Sequence, residues 1–129
     1  MPGKYLLETN AVIALFANDS AMIDYLQLAE EVFVPSIVLG ELHYGARRSH
    51  RVAENVARIE DFTRASSVLD CDHVTARSYG EIKNDLRQIG RPIPENDLWI
   101  AAIASQYDLI LITRDTHFAG LPGIVIEAW

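Results

Sequence analysis

The sequence predicts an α/β fold: a short, mostly parallel central sheet flanked by helices. Three observations carry that expectation. Several short apolar runs are continuous rather than alternating, which suits strands buried on both faces. Between them lie longer segments whose apolar residues recur at helical spacing. The two kinds of segment alternate along the chain, the order that layers helices on a parallel sheet.

The elements follow in order. Tyr5-Leu6-Leu7 reads as the first strand, and residues 11–16 as a helix behind a Thr9-Asn10 cap signal. Val32-Phe33-Val34 is a second strand, followed past Pro35 by a helix over 36–47. Residues 51–65 place Val52, Val56, Ile59 and Phe62 on one helical face, and Ser67-Val68-Leu69 is a weaker strand. Residues 74–89 carry Tyr79, Ile82, Leu86 and Ile89 and stop at Gly90, a helix C-terminal signal. A helix over 97–107, with Ile100, Ile103 and Tyr107, precedes strands at 109–112 and 124–126.

Composition sets the bounds. With 129 residues, half of them apolar, 7 Gly and 5 Pro, residues 1–129 read as one domain that is neither disordered nor fibrous. The single cysteine, Cys71, excludes a disulfide framework and a thiolate metal cluster, and it reads as a small packed residue. Charge arrives early at Glu8, which leaves no signal-peptide core, and the best apolar run, 11–17, is far short of the ~20 residues that span a bilayer. A soluble, cytoplasmic protein without a membrane partner is the expectation. The net charge of −7, from 11 basic and 18 acidic residues, disfavours loose adhesion to nucleic acid. It does so only weakly, because bound metal ions can neutralise clustered carboxylates.

Ligands bind such sheets at the carboxyl ends of the strands, and four acids stand out there. Glu8 directly follows the first strand, and Asp115 follows the 109–112 strand through Thr113 and Arg114. Asp97 opens a helix after Pro94-Glu95-Asn96. Glu41 lies four residues after Ile37 and three after Val38, on their inward stripe, where a lone carboxylate is expensive. Each has a plainer reading as well. Asp97 suits the positive end of a helix with Asn96 as cap, Asp115 suits a turn, and Glu8 suits a loop. Taken together they favour a site of oxygen ligands for Mg²⁺ or Mn²⁺, which serves hydrolysis of a phosphodiester without a protein nucleophile.

Other motifs say less. The four histidines show no metal-ligand pairing at helical spacing, and His117, two residues past Asp115, reads as a surface or capping residue or a neighbour of the metal ligands. No Gly-rich phosphate loop or Gly-x-Ser-x-Gly elbow is present. Arg47, Arg48 and Arg51 form the one basic cluster, suited to RNA phosphates or to a solvated loop.

These words together closely resemble the PIN-domain ribonucleases, in particular the VapC-like toxins of toxin–antitoxin pairs. The resemblance rests on Tyr5-Leu6-Leu7-Glu8-Thr9-Asn10, on Ser36 to Ala46 with its Glu41-Leu42-His43-Tyr44-Gly45, on Ile93-Pro94-Glu95-Asn96-Asp97 to Ala102, and on Thr113-Arg114-Asp115 with His117-Phe118. It implies a three-layer sandwich and an acidic pocket for Mg²⁺, with Mn²⁺ as a substitute. In that pocket Glu41, Asp97 and Asp115 are implied as metal-binding carboxylates, directly or through water, and Thr113 and Asn10 as polar helpers. It further implies endonucleolytic cleavage of RNA, a cognate antitoxin, and a homodimer within a larger toxin–antitoxin complex.

One position departs from the pattern. The family's first acid is nearly always aspartate, whereas this chain has Glu8, a ligand of the same charge one methylene longer. Two function classes therefore stay open: a nuclease, active or attenuated, with Glu8 as a catalytic metal ligand, and a catalytically silent fold that binds RNA or antitoxin. A phosphatase with an Asp-x-Asp motif is disfavoured, since that site reads Glu8-Thr9-Asn10.

Overall fold

The computed structural model describes residues 3–129. Five strands form one sheet: β1 (Lys4–Leu7), β2 (Glu31–Pro35), β3 (Ser67–Leu69), β4 (Ile110–Ile112) and β5 (Ile126–Glu127). Their spatial order is β3-β2-β1-β4-β5 and every pairing is parallel. Six helices connect them: α1 (Thr9–Phe16), α2 (Ser20–Gln27), α3 (Ser36–Arg47), α4 (Val52–Ala65), α5 (His73–Gln88) and α6 (Glu95–Tyr107). The first two crossovers step outward from β1 to β2 to β3, and the third returns past β1 to β4. Because such crossovers are right-handed, the reversal puts α5 and α6 on the opposite face of the sheet from α1 to α4. The result is the three-layer sandwich.

That reversal also creates a switch point between β1 and β4, where the chain leaves neighbouring strands in opposite directions. Open α/β sheets present a crevice there, at the carboxyl ends of the strands. The backbone N–H of Glu8 donates to the Ile112 carbonyl at 3.3 Å, so residues following both strands are held side by side.

The core explains why α6 is not amphipathic. Ile100, Ala101, Ala102, Ile103 and Ala104 are all buried in succession, since α6 lies beneath α5 as well as against the sheet. Tyr79 of α5 stacks on Trp99 of α6 with ring centroids 4.0 Å apart, and the Thr75 hydroxyl bonds Gln106. At the end of α5, Gly90 takes φ +67° and the Arg91 N–H returns to the Leu86 carbonyl at 2.9 Å, the expected glycine stop.

Five expectations need correction. Helix α2 is absent from the sequence reading: it is short, Met22 is its one fully buried residue, and its signal is the cap from Asp19 to the Met22 N–H at 3.1 Å. The cap of α1 is Glu8 rather than Thr9-Asn10, because the Glu8 carboxylate accepts the Asn10 N–H. Ile89 and Cys71 are exposed, the first as the residue that caps α5, the second in the turn before it. The last strand lies at Ile126–Glu127, two residues later than the apolar run suggests, where it pairs with Leu111 and Ile112. Among the described residues no helix is long and apolar enough to cross a membrane.

Candidate metal centre

The switch point gathers side chains from both strand ends and from two helices. Glu8, just past β1, is only 4 % exposed. Its two oxygens are used inside the chain: Oε2 accepts the Asn10 N–H at 2.7 Å and Oε1 accepts the Thr113 hydroxyl at 2.9 Å. Thr113, just past β4, also accepts the Asp115 N–H at 2.9 Å. One hydroxyl thus couples the two strand ends and sets the turn that carries Asp115.

Asp97 sits on the first turn of α6, which begins at Glu95 with Pro94 as its cap residue, so Asp97 lies inside the helix rather than opening it. Proline fits there because the first helical N–H groups have no partner to lose. Asp115 caps the 3-10 turn Thr116–Phe118 by accepting the His117 N–H at 2.9 Å. That turn aims the His117 ring back into the site. Its Nδ1 lies 2.9 Å from Asp97 Oδ2 and 3.2 Å from Asp115 Oδ1. An ionised carboxylate only accepts, so with both aspartates charged Nδ1 is the donor in this contact.

Asp97, Asp115 and His117 offer one ligand atom each within 4.8 Å of one another. Glu8 and Glu41 stand outside this tight group but feel its charge. Burial pushes the Glu8 carboxyl above its ordinary range, the Asn10 and Thr113 hydrogen bonds pull it back, and Asp115 and Asp97 push it further up. Burial raises Glu41 as well, against a hydrogen bond from the Thr9 hydroxyl at 3.0 Å, with Asp97 again adding repulsion. Asp97 is raised first by burial, eased by its bond to His117, and raised again by Asp115.

The remaining expected residues divide. Asn10 contributes its backbone N–H to Glu8, and its side chain is exposed. Arg47, Arg48 and Arg51 are exposed at the far end of α3 and the start of α4, away from the acids. Two residues join the expected set, His117 in one of the roles the sequence left open and Arg91 unforeseen. His117 bridges the aspartates, and Arg91 donates to the His117 carbonyl at 3.1 Å, fixing the turn from below. Their signal was only proximity to Asp115 and to the helix-ending Gly90. Beside Glu41 and Thr9 opens a cleft of ≈ 220 Å³ between α1, α3 and α4, walled by Ile13, Phe16 and Ile59, with the Arg58 guanidinium 4.7 Å from the centre of the Phe16 ring.

Chemically, the donor set is carboxylate oxygen, and the His117 imidazole set against it departs from the oxygen-only site expected of the sequence: while its Nδ1 donates to the aspartates it has no lone pair for a cation. Three of the carboxylates carry raised pKa values because their charges are partly buried beside one another. Such a set fits a hard divalent cation, Mg²⁺ or Mn²⁺, which would offset that repulsion.

Comparison with known proteins gives a consistent outcome. Ribonuclease VapC2 of Haemophilus influenzae is 39% identical over 129 residues, covering 98% of each chain. The tRNA(fMet)-specific endonuclease VapC of Shigella flexneri is 34% identical, again over 98% of each. The DNA-bound VapBC structure from Salmonella typhimurium includes a chain that matches with a TM-score of 0.90 at 32% identity, over 100% of this chain and 99% of that one. A family model, the PIN domain, matches residues 5–124, and a match running from the first strand to the approach of the last makes this chain a member of the PIN-domain family.

Proposed function

We propose that this chain, acting as one domain over residues 1–129, is a metal-dependent endoribonuclease held in check by a cognate antitoxin. The observation that carries the reading is the meeting of Asp97 and Asp115 at one imidazole nitrogen, at the sheet's switch point. The names of the relatives agree with it, as ribonuclease and endonuclease.

In this reading Asp97, Asp115 and Glu41 hold Mg²⁺, with Mn²⁺ as a substitute, and Glu8 takes part as a fourth carboxylate. The bound ion supplies Lewis acidity, favouring ionisation of water and offsetting charge on a phosphodiester. The chain's own groups supply position. Thr113 orients both Glu8 and the Asp115 turn, and Asn10 pins Glu8 through its N–H. Arg47, Arg48 and Arg51 meet RNA phosphates. Because the centre is anionic without metal, an antitoxin arginine paired with the carboxylates would block it. The apolar cleft beside Glu41 suits an adjoining antitoxin segment. A homodimer within a larger toxin–antitoxin complex is the assembly we propose, in line with the VapBC complexes among the structural neighbours.

Glu8 tunes the reading. With both oxygens turned onto Asn10 and Thr113, the longer side chain folds back into the frame of the site, and we infer that this lowers the rate relative to an aspartate. The test is cleavage of RNA by the purified protein with Mg²⁺ or Mn²⁺, with and without chelator. Cleavage that stops on chelation supports the nuclease. Tight RNA or antitoxin binding with no cleavage under any divalent ion supports the silent binding module instead.

A further inference from the structure

Tyr44 is an exposed aromatic with no role in the site described so far. It keeps 65 % of its surface exposed, although the Arg48 guanidinium lies over its ring at 5.4 Å from the centroid. Tyr44 follows Glu41 by three residues and Arg48 follows it by seven, so acid, ring and guanidinium share one stripe of α3 and its C-terminal cap. At 1.5 Å per residue that stripe runs about 10 Å from the metal centre toward the basic cluster.

The charge on this stripe is not consumed internally. Arg47 and Arg48 form no ion pair among the described residues, and Arg51 has a loose one to Glu54 at 3.5 Å, both partners being mostly exposed. In a chain with 18 acids and 11 bases, two unpaired arginines and a loosely paired third near an exposed ring are a local exception to the overall charge. Gly40 and Gly45 flank Glu41 and Tyr44, and a Cβ added at either would meet nothing within 4 Å, so internal packing does not require them.

We propose that Tyr44 is a stacking platform for a base of single-stranded RNA, with Arg47 and Arg48 holding the adjoining phosphates as the strand leaves the metal centre. This deepens the nuclease reading and rests on it for the direction of the strand. Aromatic rings beside guanidinium groups are how single strands are held without base-edge readout. Charge decides the occupant: an acidic strand complements this stripe.

The test uses the full chain. Binding of a fluorescein-labelled single-stranded oligoribonucleotide is measured with chelator present, and cleavage kinetics with Mn²⁺. Tyr44→Ala should weaken binding and raise KM about tenfold, with kcat within about twofold of the unsubstituted chain. Tyr44→Trp should restore both, because stacking needs a ring and not the hydroxyl. Unchanged affinity and KM in Tyr44→Ala would overturn the platform while leaving the nuclease standing. Absence of cleavage by the unsubstituted chain, with RNA binding that still depends on Tyr44, would sink the nuclease and keep the platform. Loss of self-association or of antitoxin binding in Tyr44→Ala, with RNA affinity intact, would overturn the proposal and make Tyr44 a protein contact.

Discussion

The two acids that follow the central strands have opposite surroundings. Glu8, after β1, is sealed and satisfied: its oxygens meet an N–H and a hydroxyl of the same chain. Asp115, after β4, keeps 27 % of its side chain exposed and meets Asp97 through an imidazole that is half-exposed. One carboxylate is built into the frame, the other faces the space where a ligand enters. Sequence position alone made them look equivalent. Their hydrogen-bond partners separate an acid that also holds the site's shape from one whose oxygen faces the aspartate–imidazole cluster.

The largest test of that difference is Asp97→Asn. It removes a charge from the aspartate–imidazole cluster and keeps the shape, so we expect cleavage to fall by more than ~10²-fold, with the thermal shift on adding Mn²⁺ abolished as well. Thr113→Val attacks the frame instead. It strips Glu8 of its hydroxyl partner inside a buried setting, which should cost about 1–3 kcal/mol of stability in chemical unfolding. Loss of the Asp115 alignment should lower cleavage ~10–100-fold. If Thr113→Val leaves both stability and rate unchanged, the hydroxyl is not the coupling between the strand ends.

Much of this was legible in the residues. Continuous apolar runs at 5–7 and 109–112 gave strands buried on both faces, and those strands bracket the switch point that locates the acids. Glu41 drew notice by its place on an apolar stripe, and the structure sets it outside the tight group of Asp97, Asp115 and His117. What the residues did not show was contact between distant segments. His117 stayed open between a surface or capping residue and a neighbour of the metal ligands, because its relation to Asp97 spans 20 positions and depends on a 3-10 turn too short to leave a periodic signal. Helix α2 was missed for a related reason, since a two-turn helix that buries little apolar surface has almost no pattern to read.

An intermediate effect is expected at Glu8 itself. Glu8→Asp shortens the acid by a methylene, and an ångström's misplacement near reacting atoms costs ~10²-fold. The shorter side chain also remains a good helix cap. If the glutamate's fold-back attenuates the enzyme, Glu8→Asp should raise Mg²⁺-dependent cleavage by up to ~10²-fold, and Mn²⁺ should narrow the gap. An unchanged rate in Glu8→Asp, alongside loss in Asp97→Asn, would make Glu8 a fully tolerated member of the site.

The smallest expected effect is a shift in stability with pH, and its sign follows from burial. Glu8, Glu41 and Asp97 are all raised above their ordinary values of 4.5, 4.5 and 3.8. An acid raised by folding binds more protons folded than unfolded, so its contribution is fully present below the unfolded pKa and is lost as pH rises through the folded one. Without metal, these three groups therefore weaken the fold between acid and neutral pH. Asp72, held low by the Thr75 N–H, and Glu95, held low by Lys83, act in the opposite direction, so total acid stability does not isolate the site. The difference between metal-loaded and chelated protein does. Divalent ions bind the ionised carboxylates, so their stabilising effect must grow with pH. With Mn²⁺ at a hundred times its Kd near neutral pH, Tm should rise on the order of 10 °C, and the rise should shrink as pH falls toward 5. A metal-induced shift that is equal at both pH values, or that survives intact in Asp97→Asn, would place the ion somewhere other than among these carboxylates.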